Sequence, residues 1–165
     1  MQYVANSGEV TLAAATAKTV LMVQSTALIG GQVVEIGVSF NGVSSANEPV
    51  LIELVKSTNA TNSTPGTNNT SVTPAMSRGN GNTGAAAAIA ATMTAFAAAT
   101  SEPTALVPLK VWRVSPTSGL LYQAPLGREP EIPALTSPFV GLGLRCKAAQ
   151  EVKVIAYIEF IQGPS

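Results

Sequence analysis

The chain has 165 residues, enough for one domain with a core of its own. Its formal net charge is zero, and only 11% of its residues are charged, against roughly 25% in an ordinary soluble domain. It contains no His, and all nine of its acids are Glu, which excludes Ser-His and Cys-His nucleophile pairs and His-based zinc sites, and argues against EF-hand and Walker-type magnesium sites.

Charge neutrality removes the electrostatic case for nucleic acid or an anionic membrane as partner. A small monomer usually solvates its surface with charge. The shortage here points to a surface largely covered by partners, because interface cores are depleted in charge in the same way. No apolar run reaches the roughly 18 residues needed to span a bilayer. The N-terminal sequence MQYVANSGEV lacks a basic region followed by an apolar one, so neither a membrane span nor a Sec-type signal is expected.

In chain order, a short strand is expected around Val10 and Leu12, followed by small residues from Ala13 to Ala17. Thr19–Ser25 reads as a strand apolar on both faces, and Gly30-Gly31 as the turn after it. The central pair comes next. Val34, Ile36, Val38 and Phe40 alternate with Glu35, Gly37 and Ser39, which places the apolar set on one strand face. Asn41-Gly42 supplies turn chemistry. Val50, Ile52 and Leu54 restart the alternation, with Leu51 and Val55 on the other face around Glu53. That strand is expected to be central in its sheet or covered by another subunit.

Ser57–Thr73 is uncharged, nearly devoid of apolar residues, and unable to bury itself. A long exposed loop is expected at about 57–84, with room for a short strand near Ser71–Thr73. The Ala-rich stretch at 85–100 is ambiguous. Alanine favours helix, but the second half alternates, giving at most one helical turn near 85–90 and then a strand at about 92–100. Leu106–Val114 is a strand whose early Pro108 suits an edge or a bulge. Ser115–Gly119 is a turn, Leu120–Gln123 a short strand, and Pro125–Pro138 an irregular loop with four prolines.

Phe139–Lys147 sets Val140, Leu142, Leu144 and Cys146 against Gly141, Gly143, Arg145 and Lys147. Glu151–Ile161 is the longest strand, with Val152, Val154, Ala156, Ile158 and Phe160 on its inner face. Short strands separated by Gly/Pro turns predict an all-β fold, an antiparallel β-sandwich of jelly-roll-like type, in a single domain over 1–165.

Little chemistry competes with this reading. Gly79–Gly84 matches G-x-G-x-x-G, and Glu102 lies near the distance of a ribose-binding acid, but the buried strand and βαβ unit that fingerprint needs are missing. Glu129 and Glu131 flank Pro130 without the sugar-stacking aromatics of a glycosidase, so they read as solvated loop charges. Trp112 is expected to anchor a core or an interface. Arg145 and Lys147 share a face but are too few for a nucleic-acid stripe. Cys146, the lone cysteine, is expected to be a small buried thiol. No catalytic, cofactor-binding or metal-binding residues are expected.

A series of motifs runs through the chain in order. Lys18-Thr19-Val20-Leu21 comes first, then Val34-Glu35-Ile36-Gly37-Val38-Ser39-Phe40-Asn41-Gly42 and Pro49-Val50-Leu51-Ile52-Glu53-Leu54. Ser101-Glu102-Pro103-Thr104 and Pro125-Leu126-Gly127-Arg128-Glu129-Pro130 follow, and Gly143-Leu144-Arg145-Cys146-Lys147-Ala148 leads into the closing strand to Phe160. In these the chain resembles small tailed-bacteriophage virion structural proteins of the capsid decoration, or cement, type. The Asn/Thr/Gly-rich insert at 57–84 has no counterpart in that resemblance. It implies a non-enzymatic protein made in the host cytoplasm that oligomerises, often as a homotrimer, and sits on the major capsid protein lattice at the virion surface. The alternative is a receptor- or glycan-binding module of a phage tail fibre or surface adhesin.

Overall fold

A computed structural model of the chain describes residues 2–25, 29–41, 48–59, 70–78, 93–97, 102–103, 105–135 and 139–163. Among them are twelve strands and no helix. They are β1 (Gln2–Leu12), β2 (Ala17–Gln24), β3 (Gly30–Asn41), β4 (Val50–Asn59), β5 (Thr70–Val72) and β6 (Ala75–Arg78). The second half adds β7 (Thr94–Ala97), β8 (Val107–Val114), β9 (Leu120–Gln123), β10 (Glu131–Ile132), β11 (Phe139–Lys147) and β12 (Val152–Gly163).

The strands form two antiparallel sheets packed face to face. The first runs β10-β3-β12-β1-β6, with β9 also paired to β3, and the second runs β5-β7-β2-β11-β4-β8. The period-two patterns decide which side chains enter the space between them. Val152, Val154, Ala156, Ile158 and Phe160 of β12 are buried there, opposite Val140, Leu142, Leu144 and Cys146 of β11. The inner residues of β4, Val50, Ile52 and Leu54, join them. Tyr3 and Phe160 stack at 5.8 Å between ring centroids.

Two bulges reshape what alternation alone predicts. In β1 the strand is much longer than the segment around Val10 and Leu12. Its buried residues change phase, from Tyr3 and Ala5 to Val10 and Leu12. Between them, Asn6 pairs with Tyr157 and Glu9 with Ile155, so Ser7 and Gly8 together face Ala156. Gly8 has φ +65°, which a glycine adopts without steric cost. The Ser7 hydroxyl takes the place of a ladder carbonyl and accepts the Ala156 N–H at 2.9 Å. In β3 the register shifts between Glu35 and Val33 opposite Glu159 and Phe160. Val33 therefore enters the core, and Val34, expected inside, is only half-buried. Ile36 and Val38 are buried as expected, while Phe40 packs at the margin of the core.

Other expectations are revised as well. Gly30-Gly31 is not a turn but the start of β3, held between β10 and β12. Ser57 and Thr58 belong to β4, and the stretch expected as loop also holds β5, near where a strand was anticipated, and β6, which was not anticipated. β6 pairs with the N-terminal part of β1, which explains why no local pattern revealed it. The Pro125–Pro138 segment contributes β10 and the fully buried Ile132. Gly42–Asn47, residues 60–69, the glycine motif at 79–84 and the helical turn expected at 85–90 lie outside the described residues. The strand expected at about 92–100 is present as β7. Pro108 lies on the edge strand β8 beside a register shift at Leu54/Val55, as proline in a sheet requires.

Candidate functional site

Four separated stretches of the chain meet on the outer face of the second sheet. Glu53 of β4 lies opposite Arg145 of β11 in the ladder. Arg145 Nη1 donates to Glu53 Oε2 at 3.1 Å. Arg145 Nε lies 3.1 Å from Glu102 Oε2, near enough to pair as charges but off the hydrogen-bond axis. Glu102 in turn accepts the Thr19 N–H at 2.7 Å and the Thr19 hydroxyl at 2.9 Å. Glu102 is thus held by Thr19 and Arg145. It fastens the segment before β8 across β2 and β11. Arg145 is engaged with both carboxylates, whereas Lys147 is exposed.

The first sheet carries a second polar cluster. The Tyr157 hydroxyl donates to Glu35 Oε1, and Gln123 Nε2 donates to Oε2 at 2.7 Å. Those two hydrogen bonds hold the Glu35 carboxyl below its ordinary range. Burial, then the adjoining carboxylate, pushes Tyr157 up to about 12. The ring of Tyr157 occupies the space above Gly37, where an added Cβ would meet Cε1 at 2.1 Å. Nearby, Lys153 Nζ reaches Glu9 Oε1 at 2.7 Å, and Asn41 donates to the other oxygen at 3.2 Å. These hydrogen bonds and the Lys153 charge lower the Glu9 carboxyl.

None of these clusters assembles a nucleophile with a base. Cys146 is fully buried, and desolvation followed by the repulsion of Glu53 and Glu102 pushes its thiol up to about 12. A neutral thiol without access is a packing residue. Glu131 stands exposed on β10, accepting a long 3.4 Å hydrogen bond from Gln32, and Glu129 is half-buried in the preceding loop. Among the described residues no three His, Cys, Asp or Glu side chains group as metal ligands, and no helix is long and apolar enough to cross a membrane.

The unusual surface is the edge formed by β8 and β9. Among the described residues β8 is the last strand of the second sheet, and β9 pairs only with β3. Val107, Leu109 and Val111 are 56%, 45% and 55% exposed, and Leu121 of β9 is 64% exposed. Behind them Trp112 and Tyr122 pack at 5.3 Å between ring centroids, closing the gap between the sheets. Lys110 Nζ lies 4.9 Å from the centre of the Tyr122 ring, a cation–π contact. The Tyr122 hydroxyl is buried without a hydrogen-bond partner among the described residues. Trp112 was legible as an anchor. The exposure of its neighbours was not, because VPLKVWRV carries the same strand signal at an edge as at a centre.

Depressions lie beside the sandwich. One of about 310 Å³ is bordered by Gln32, Glu131, Pro133 and Ile161. Another of about 300 Å³ lies between Glu48, Leu51, Arg113 and Lys147. Comparison with protein-family models, with curated proteins and with solved structures gives no match.

Proposed function

We propose that the protein is a non-enzymatic structural protein of a bacteriophage virion, which oligomerises as a trimer and decorates or cements the capsid shell. The observation that carries this reading is the exposed apolar edge of β8 and β9 on a chain with so few charges. A sheet edge lined by Val107, Leu109 and Val111 is a liability in a free monomer and an asset in an assembly.

Two further features support it. The order of eight strands, β1-β12-β3-β9 in one sheet and β2-β11-β4-β8 in the other, supports a jelly-roll reading, an architecture found in viral capsid and lectin domains. Thr19, Glu53, Glu102 and Arg145, from four of the motifs that carry the resemblance, share one cluster. Those motifs then describe one piece of architecture rather than four accidents.

A receptor- or glycan-binding module of a tail fibre or adhesin is the second reading. The depression beside Gln32 and Glu131 favours it, since both side chains can hydrogen-bond a sugar. Quantitative mass spectrometry of purified particles separates the two. A decoration protein is expected at copy numbers comparable to the capsid subunit. A few copies per particle, or none, overturns the proposal.

A further inference from the structure

Leu126 is the most exposed large apolar side chain among the described residues, at 98%. A single exposed leucine is ordinary on a protein surface. This one is distinguished by what holds it. It stands at the second position of a turn closed by the Arg128 N–H on the Pro125 carbonyl at 2.9 Å. The third position, Gly127, has φ +77°, which a turn of this kind requires. Both feet of the loop are pinned to the bulge of β3. The Ala124 N–H donates to the Val34 carbonyl at 2.8 Å, and the Val33 N–H donates to the Pro130 carbonyl at 3.0 Å. Pro125 and Pro130 restrict the backbone further. Leu126 is therefore a rigid apolar projection from the β3 edge, between β9 and β10. A residue already held in place loses little freedom on binding.

The same edge carries a receptacle. The depression of about 310 Å³ beside β10 is lined by Ile132, Pro133 and Ile161, with Gln32 and Glu131 as its polar members. Gly163 leaves part of it open, since a Cβ added there would meet nothing within 4 Å. Leu126 does not fill the depression of its own chain, because the pinned loop keeps it in water. The charges are complementary as well. Arg128 is exposed two residues from the projection, and Glu131 is exposed at the depression. Such a pair on a rim adds little affinity but fixes orientation.

We propose that Leu126 docks into this depression on a second copy of the chain, and that three copies close a ring through the contact. Knob and hole are different patches, so the contact is heterologous and repeats head to tail until it closes. The number three rests on the trimer reading proposed above, which this contact deepens by naming the residues that join the copies. Insertion of Leu126 supplies the apolar anchor, and Arg128 against Glu131 of the neighbouring copy sets the register.

Sedimentation velocity of the full chain tests the contact. Wild type is expected to sediment as a trimer. Leu126→Asp removes the knob. Gly163→Phe fills the hole, and Ile161→Lys, at a side chain that is 40% exposed, sets a cation against the incoming Arg128. All three positions face solvent or open space, so circular dichroism is expected to match wild type. Each variant is expected to weaken association by at least about tenfold, the scale of an interface residue that matters. Mixed one to one, Leu126→Asp and Gly163→Phe are expected to form a pair and nothing larger, because the mixture holds one intact hole and one intact knob. Ile155→Thr, on the same outer face of β12 but opposite Ser39 rather than Gln32, is expected to leave association unchanged. A wild-type monomer or dimer, association undiminished by Leu126→Asp or by both hole variants, or a mixture that stays monomeric overturns the proposal. A trimer that survives Leu126→Asp defeats this contact and leaves the trimer reading standing. The copy-number measurement on particles tests the virion reading separately.

Discussion

β12 and β8 are written in similar language and live in opposite surroundings. Both are rich in branched aliphatic residues and carry two charges, a cation and an acid on β12 and two cations on β8. β12 lies between β1 and β3, its inner face sealed by the opposite sheet. β8 ends its sheet, with three apolar side chains in the open. Strand propensity depends on the fit of side chains to a pleated surface. It contains no information on how many neighbours that surface will have. The consequence is a contrast in which β12 builds the core and β8 is left with Val107, Leu109 and Val111 in water.

The comparison breaks most sharply at Phe160. It is buried, stacked on Tyr3, and its truncation to Ala is expected to cost about 3–5 kcal/mol. Chemical denaturation should show the loss as a lower midpoint at unchanged slope. A cost below about 1 kcal/mol would mean that the sandwich interior is not what holds the fold.

Tyr157, on the outer face of the same strand, should give a smaller effect with a pH signature. Tyr157→Phe removes a hydrogen bond to a charged group, worth about 1.5–3 kcal/mol and toward the lower end here, because Tyr157 is only half-buried. Its raised pKa means the folded state favours the protonated phenol. That contribution is complete below the unfolded value near 10 and is lost as the pH rises toward about 12. Cys146 acts in the same direction from about 8.5 upward, since its thiol is held neutral up to about 12. Glu35 has the opposite sign. Its lowered pKa gives stability above about pH 4.3 that is lost on acidification. Thermal melts should fall at both extremes, and the variant should flatten the decline between pH 10 and about 12. An unchanged alkaline decline would assign it to Cys146 and Tyr3 instead, whose burial also raises it.

The smallest effect belongs to β8. Val111→Thr keeps β-branching and changes a side chain that is 55% exposed, so stability should move by no more than about 0.5 kcal/mol. A larger loss in a concentration-dependent melt would show that Val111 is already buried between copies, which would sharpen its role as an interface residue rather than a free edge.

The sequence was sufficient wherever a strand keeps its period and packs one face inward. The inner residues of β11 and β12 were legible one by one, as were the burial of Cys146, the Ser115–Gly119 turn and the placement of Pro108 on an edge. These properties are local, fixed by side-chain alternation and by the backbone limits of Gly and Pro. Tertiary structure alone decided the rest. The bulge at Ser7-Gly8 interrupts the period that would have revealed all of β1, and the bulge at Val34 exchanges it for Val33 in the core. β6 exists because β1 offers it a partner. Glu102 came into view as an isolated acid and became a clamp only when β2, β4 and β11 brought Thr19, Glu53 and Arg145 around it. A ladder partner is chosen from anywhere in the chain, so the contacts that separate a clamp from a free charge, or an edge from a centre, are not written in any one stretch of residues.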